Sequence, residues 1–226
     1  MTIVAMIGWI ATATGMTLAL PQLFRLARTR NVEGLSLIGW QAILAMNVGW
    51  MMHGVRIGQA PQAIASGVSL CATVPILILM SRALGRRTVA TLSPGLALAA
   101  AMVAVDLLIG SAAYGSFALL PMAIGLGGQS VALVRSPHVR GVSTPSMLLG
   151  TLNQVLWTTW SFMVQDSGSM ISAAAATVFV GFNLVWFALR RMGLRAFFAY
   201  GEEPVAYAGE PVGAPALVAC PQPAEA

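Results

Sequence analysis

The chain contains no lysine. All twelve of its basic residues are arginine, and only 8% of its 226 residues are charged. A soluble domain carries about 25% charged residues, so a water-exposed globular surface is excluded. Histidine is scarce, with His53 and His138 only. Cysteine is limited to Cys71 and Cys220, which share no metal or disulfide spacing. Cys71 lies inside an apolar run and reads as a small buried hydrophobe. There is no Ser-His-Asp set, no His/Cys/Asp metal spacing, no phosphate-binding loop and no pair of carboxylates inside an apolar run. An enzyme is therefore not expected, and neither a cofactor nor a metal is implied.

What fills the chain instead is apolar. Hydrophobic residues make up 58% of it and the mean hydropathy is +0.80. This composition specifies an all-α membrane protein. The pI near 10.2 does not point to nucleic acid, because the arginines fall in short clusters between apolar runs instead of forming a face. The absence of lysine, with the excess of alanine, points to a GC-rich bacterial source. The start, Met1-Thr2-Ile3-Val4, has no basic segment and no small-residue cleavage site closes its run, so it reads as a retained first helix.

Seven runs are long enough to cross a bilayer. They cover roughly 3–26, 36–55, 61–81, 88–109, 112–134, 143–164 and 169–190. Pro75 and Pro94 interrupt the third and fourth, while the fifth holds Pro121 and the weak stretch Gly125-Leu126-Gly127-Gly128. Residues 201–226 hold four Glu, five Pro and no periodic pattern, the composition of a disordered tail. Arg25, Arg28 and Arg30 follow the first run, Arg82, Arg86 and Arg87 the third, Arg135 and Arg140 the fifth, and Arg190, Arg191 and Arg195 the seventh. Arg56 alone falls on the other side. Positive residues gather in the cytoplasm, which puts the N-terminus outside and the C-terminus in the cytoplasm of a multi-pass protein of the cell membrane.

Pro21-Gln22 organises the rest. A proline deep in an apolar helix costs a hydrogen bond and bends the chain. The segment that follows it recurs 107 residues later without a gap. Gln22 meets Gln129, Leu26 meets Leu133, Arg28 meets Arg135, Val32 meets Val139, Gly34 meets Gly141, Ser36 meets Ser143 and Trp50 meets Trp157. The chain is an internal duplication. Residues 1–87 form one triple-helix unit, 88–109 a linker helix, 110–195 a second unit and 196–226 a disordered cytoplasmic tail. Four helices separate equivalent positions, so the units enter the membrane alike, as two parallel repeats in a 3+1+3 order.

Pro-Gln near the end of the first helix, a short basic loop and then Val-x-Gly-x-Ser opening the second resemble the PQ-loop motif. Two triple-helix units joined by a linker resemble the seven-helix SWEET (MtN3/saliva) sugar transporters, of which this would be a bacterial member. The resemblance covers helices 1, 2, 5 and 6 well, helices 3 and 7 loosely and the tail not at all. It implies a central pocket flanked by Trp50 and Trp157, with Met46 and Asn153 one turn earlier. Residues at i and i+4 share a helix face, so Met46 goes with Trp50 and Asn153 with Trp157. Trp stacks on the C–H faces of a sugar and Asn serves its hydroxyls. Asn47 and Gln154 are expected to face neighbouring helices. Trp9, Trp40, Trp160 and Trp186 read as interfacial or packing residues.

The chain departs from that family in two ways. The family carries an Asn on helices 3 and 7, whereas the positions here, around Ile64 and Ser172, have none; nearby polar residues are Gln62, Ser66, Ser69, Ser169, Thr177 and Asn183. The family hinges on prolines. Pro21 and Gln22 are kept, but their counterpart is Gly128-Gln129, and Pro145 stands near the start of helix 6. These five are the hinge and gating candidates. Asp106 is the one acidic residue inside a run and the candidate proton site. His53 reads as interfacial, and Glu33, Asp166 and His138 fall in loops.

The expectation is a transporter of a small polar solute, a sugar first, by facilitated diffusion through alternating access of the two units. A PQ-loop transporter of amino acids or another metabolite, proton-linked through Asp106, stays open. So does a non-transporting receptor or assembly protein. The lipid bilayer is a partner and nucleic acid is not. One chain holds both units, so a pore does not require a homo-oligomer, and a homo-oligomer is left open.

Overall fold

The computed structural model describes residues 2–29, 35–136, 139 and 142–197, without the side chains at 18–22, 25, 26 and 29. Among the described residues there is no strand. Among these same residues seven helical rods follow one another: α1 Ile3–Thr29, α2 Leu37–Arg56, α3 Ala60–Ala83, α4 Thr88–Leu108, α5 Ser111–Arg135, α6 Thr144–Val164 and α7 Ser167–Arg191. Their limits agree with the apolar runs to within three residues. Four of them, α3, α4, α5 and α7, are long and apolar enough to cross a membrane. The chain is an α-helical membrane-associated protein.

Local chemistry sets the helix starts. Ser36 precedes α2 with φ −78° and ψ 116°, and its side chain accepts a hydrogen bond from the Gly39 amide. Ser143 precedes α6 with φ −78° and ψ 121° and accepts from the Ser146 amide. These two serines occupy equivalent positions of the duplication, and each relieves one orphan donor of its helix. Asp166 caps α7 in the same way. Pro145 stands in the first turn of α6, where a proline removes no intrahelical bond. Pro75 and Pro94 lie within α3 and α4. The weak stretch of α5 is a π-helical segment, Ala123–Gly127.

The helices pack through small residues, as helices in lipid do. Gly115 on α5 lies against the Gly168 backbone of α7 so closely that a Cβ there would collide with its carbonyl. A buried cluster of Ala45, Ala99, Met102, Tyr114 and Ala118 joins α2, α4 and α5. One end of the bundle gathers the C-termini of α2 and α4 and the N-termini of α5 and α7, and is called the histidine end. The opposite, arginine end gathers Ile76 and Met80 with Leu23, Leu35 and Trp40, and Leu133 and Met147 with Phe187.

Two expectations are corrected. Cys71 is exposed on α3 instead of buried, because its helix turns Ala72 and Thr73 inward. Phe197 lies in the stretch expected to be a disordered tail, yet its amide donates to the Val134 carbonyl at 3.0 Å and its ring lies 5.7 Å from Trp186. The helix α1 runs through Pro21 to Thr29. The side chains of Pro21, Gln22, Arg25 and Leu26 lie outside the described residues, as do Arg30, Val32, Glu33, Gly34, His138, Arg140, Gly141 and the tail from 198 onward.

Candidate functional site

A cavity of about 590 Å³ opens inside the bundle, and α1, α2, α3, α5, α6 and α7 all line it. The helix α4 contributes nothing to its wall. Met46 and Trp50 reach it from α2, and Asn153 and Trp157 from α6. The structure thus brings together all four residues expected to bind solute. The i and i+4 spacing does this, since each pair occupies one helix face. Among the described residues, no charged side chain lines the cavity.

Asn153 of α6 is held by α1. Its Nδ2 donates to the Ala11 carbonyl of α1 at 2.7 Å. The amide packs over Gly15, where an added Cβ would stand 3.5 Å from Nδ2. Trp157 meets Trp160 edge-on at 5.3 Å. Trp50 meets Tyr114 edge-on at 4.8 Å. Asn47 donates to Thr73 on α3 at 2.9 Å, and Gln154 to the Ala173 carbonyl on α7 at 3.2 Å. Both therefore bond neighbouring helices while also lining the cavity.

Further polar groups lie at the histidine end of the wall. Gln62 Oε1, Trp160 Nε1 and Ser169 Oγ are buried without a hydrogen-bond partner among the described residues, and all three residues line the cavity. Buried polar atoms are nearly always paired, so an acceptor, a donor and a hydroxyl stand ready here. Trp160 is fully buried, not interfacial, and its Nε1 is where a Cβ on Gly8 would collide. On α3 the cavity takes Gln62, Ser66 and Ser69, whereas Ile64 points outward and is exposed. Ser172 lines the cavity and donates to the Gly115 carbonyl at 3.0 Å.

The remaining candidates lie elsewhere. Gln129 donates to Met147 Sδ at 3.4 Å and accepts from Asn183 Nδ2 at 3.3 Å, tying α5 to α6 and α7 at the arginine end. Gly128 follows the π-helical segment directly, and nothing lies within 4 Å of where its Cβ would be. Gly125 and Leu126 of that segment line the cavity. Thr177 bonds Thr158 at 2.7 Å.

Beyond Trp50, the histidine end is closed by ionisable groups. Asp106 sits on α4, buried, with Arg56 Nε at 2.8 Å from Oδ2 and Nη2 at 2.6 Å from Oδ1. His53, expected at an interface, is instead fully buried between two carboxylates. Its ring stacks on Tyr114 at 4.6 Å. Asp166, expected merely in a loop, accepts from Ser111 Oγ at 2.5 Å and from the Ser169 amide at 2.8 Å. Burial pushes the Asp166 carboxyl up, but the hydrogen bonds from His53, Ser111 and Ser169, with the charge on His53, hold it well below the usual carboxylate range. Of this assembly the sequence pointed only to Asp106, because His53 meets Asp106 and Asp166 across 53 and 113 residues of chain.

The chain matches no family model, no curated protein and no solved structure.

Proposed function

We propose that the protein is a transporter of a small, polar, uncharged solute, with sugars the first class to test. The observation that carries this reading is the cavity itself. Tryptophans at matching positions of an internal duplication, Trp50 and Trp157, line one space together with Asn153. Aromatic faces suit the C–H face of a sugar, and Asn, Gln and Ser suit its hydroxyls. The absence of charge from the described lining favours a neutral solute over an amino acid, whose carboxylate and ammonium would go unpaired. A receptor that only docks a partner needs no such space. The resemblance of the Pro21-Gln22 and Val-x-Gly-x-Ser segments to PQ-loop and SWEET carriers supports the same reading.

The seven helices act as seven spans, α1–α3 and α5–α7 as two parallel units and α4 as their linker. The positive-inside rule puts the histidine end outside and the arginine end in the cytoplasm. Exchange is facilitated diffusion by rocking of one unit against the other. Pro21 with Gln22, Gly128 with Gln129 and Pro145 are the points at which helices flex, aided in α5 by the π-helical segment beside the cavity. Labelled glucose, sucrose and a panel of amino acids, offered to proteoliposomes, test this. Saturable sugar entry that ends at the same level with or without a pH gradient is the expected result. Gradient-driven accumulation of an amino acid, or no flux of any solute, would overturn it.

A further inference from the structure

His53 lies one turn beyond Trp50 on α2 and is fully buried. Its Nδ1 is 2.9 Å from Asp106 Oδ2 on α4, and its Nε2 is 2.9 Å from Asp166 Oδ2 in the turn between α6 and α7. An ionised carboxylate only accepts hydrogen bonds, and a neutral imidazole has one N–H. Both contacts are hydrogen bonds only if both ring nitrogens carry hydrogen. With the hydrogen removed from Nε2, two lone pairs face each other at 2.9 Å unless the Asp166 carboxyl itself takes a proton. Either way one proton stands between His53 and Asp166.

The surroundings make that proton decide the contact. Arg56, on the same helix, binds both oxygens of Asp106 and approaches His53 Nδ1 at 3.4 Å. Asp106 therefore keeps a counter-charge without His53. From α5 the ring faces Tyr114, which is uncharged. The packed helix α3 brings only Cys71 and Arg82, both exposed on other faces. With the proton present, Arg56 and a charged His53 balance Asp106 and Asp166. Without it the cluster holds one uncompensated negative charge, which is costly where water is excluded.

We propose that His53 and Asp166 form a proton-binding site that fastens the two units together at the histidine end, closed with the proton bound and released when it leaves. This deepens, and rests on, the alternating-access reading. The proton comes from the water on the histidine face and returns to it. The closed contact seals that path from the cavity, so the proton sets how readily this end opens and is not carried across. Trp50 transmits the change to the cavity wall, because its ring meets both His53 at 5.5 Å and Tyr114 at 4.8 Å.

Spin-label distances test the site without any solute. The full-length protein, with Cys71→Ala and Cys220→Ala, receives nitroxides at Val55→Cys and Ser167→Cys, both exposed and on opposite sides of the contact. It is reconstituted in lipid discs and its interspin distances are read from about pH 5 to 8. One short distance at the acid end, with a longer population growing as pH rises, is expected. Asp166→Asn removes the shared charge but keeps an amide able to meet either form of the ring, and should abolish the pH response. His53→Gln should do the same and stands in if Asp166→Asn does not fold. An unchanged distance across the range in the labelled parent overturns the proposal, and so does an undiminished response in either variant. Because no solute is present, a failed flux assay leaves this readout intact and counts against transport alone.

Discussion

Trp157 and Trp160 sit one turn apart and are predicted to behave differently. Trp157 turns to the cavity and meets Trp160 only by an edge, whereas Trp160 is fully buried. Trp157→Ala removes one stacking face, worth about 1 kcal/mol, and should weaken solute affinity about fivefold while expression holds. Trp160→Ala empties a packed site, costs about 3–5 kcal/mol and should appear as loss of folded protein. Uptake kinetics and size-exclusion profiles of the two variants check this; normal uptake by Trp157→Ala removes it from the site. Asp166 carries a pH prediction. Its carboxyl is held below its ordinary value in the folded state. The stability it contributes is thus fully present above about pH 4 and is lost as pH falls through the folded value. Thermal unfolding of the parent should decline over that acid window, and the Asp166→Asn variant should decline less. Parallel curves would mean that Asp166 is not held low.

Between elements, the tightest joint is that of α5 with α7. Gly115 and Gly168 allow two backbones to touch, and Gly168 in turn lies against the Ser111 carbonyl. The same joint carries the Ser111 hydroxyl to Asp166 and the Gly168 amide to the Ser111 oxygen. Gly115→Ala must force the helices apart, and overpacking of this kind costs about 1–3 kcal/mol. Gly150 on α6 has nothing within 4 Å of its Cβ position. Gly150→Ala should be neutral or gain up to about 1 kcal/mol from helix propensity. Melting temperatures should therefore move in opposite directions, or at least diverge clearly. Equal melting temperatures would show that the joint gives way without strain. In the π-helical segment of α5 the packing is looser: a Cβ on Gly125 would meet nothing within 4 Å, and one on Gly127 would reach only Phe179 at 3.9 Å. A loosely packed π-helical stretch in a cavity wall is where a helix bends at least cost.

Across the whole molecule, charge is distributed by end. The described arginines beyond Arg56 lie at the arginine end, and Arg56 lies at the histidine end, where Asp106 engages it. Asp106 neutralises Arg56, so Arg56 does not count against the positive-inside reading proposed above. In a cysteine-free background, Ser167→Cys should react with a membrane-impermeant thiol reagent on intact cells. Met192→Cys, exposed at the arginine end, should react only after permeabilisation. The reverse pattern would invert the protein and turn the proton-binding site to the cytoplasm.

The helices themselves were legible from the chain, because apolar length, period and capping are properties of neighbouring residues. Ser36 and Ser143 show how local that information is: the same residue in the same context caps the same helix in both halves. The duplication paired Trp50 with Trp157, and the resemblance to the sugar carriers pointed to them and to Met46 and Asn153, so four wall residues on two of the six lining helices could be written down in advance. Most of the wall could not. Whether α3 turns Ile64 or Gln62 inward, and whether Cys71 meets neighbours or exposure, depends on a rotation that a helix apolar on all sides does not encode. His53 is the clearest case. It meets Asp106 across 53 residues and Asp166 across 113, and no pattern along the chain links the three. Their meeting was decided by close approach of small residues between helices and by the cost of leaving a buried charge unmatched, and both exist only once the helices have packed.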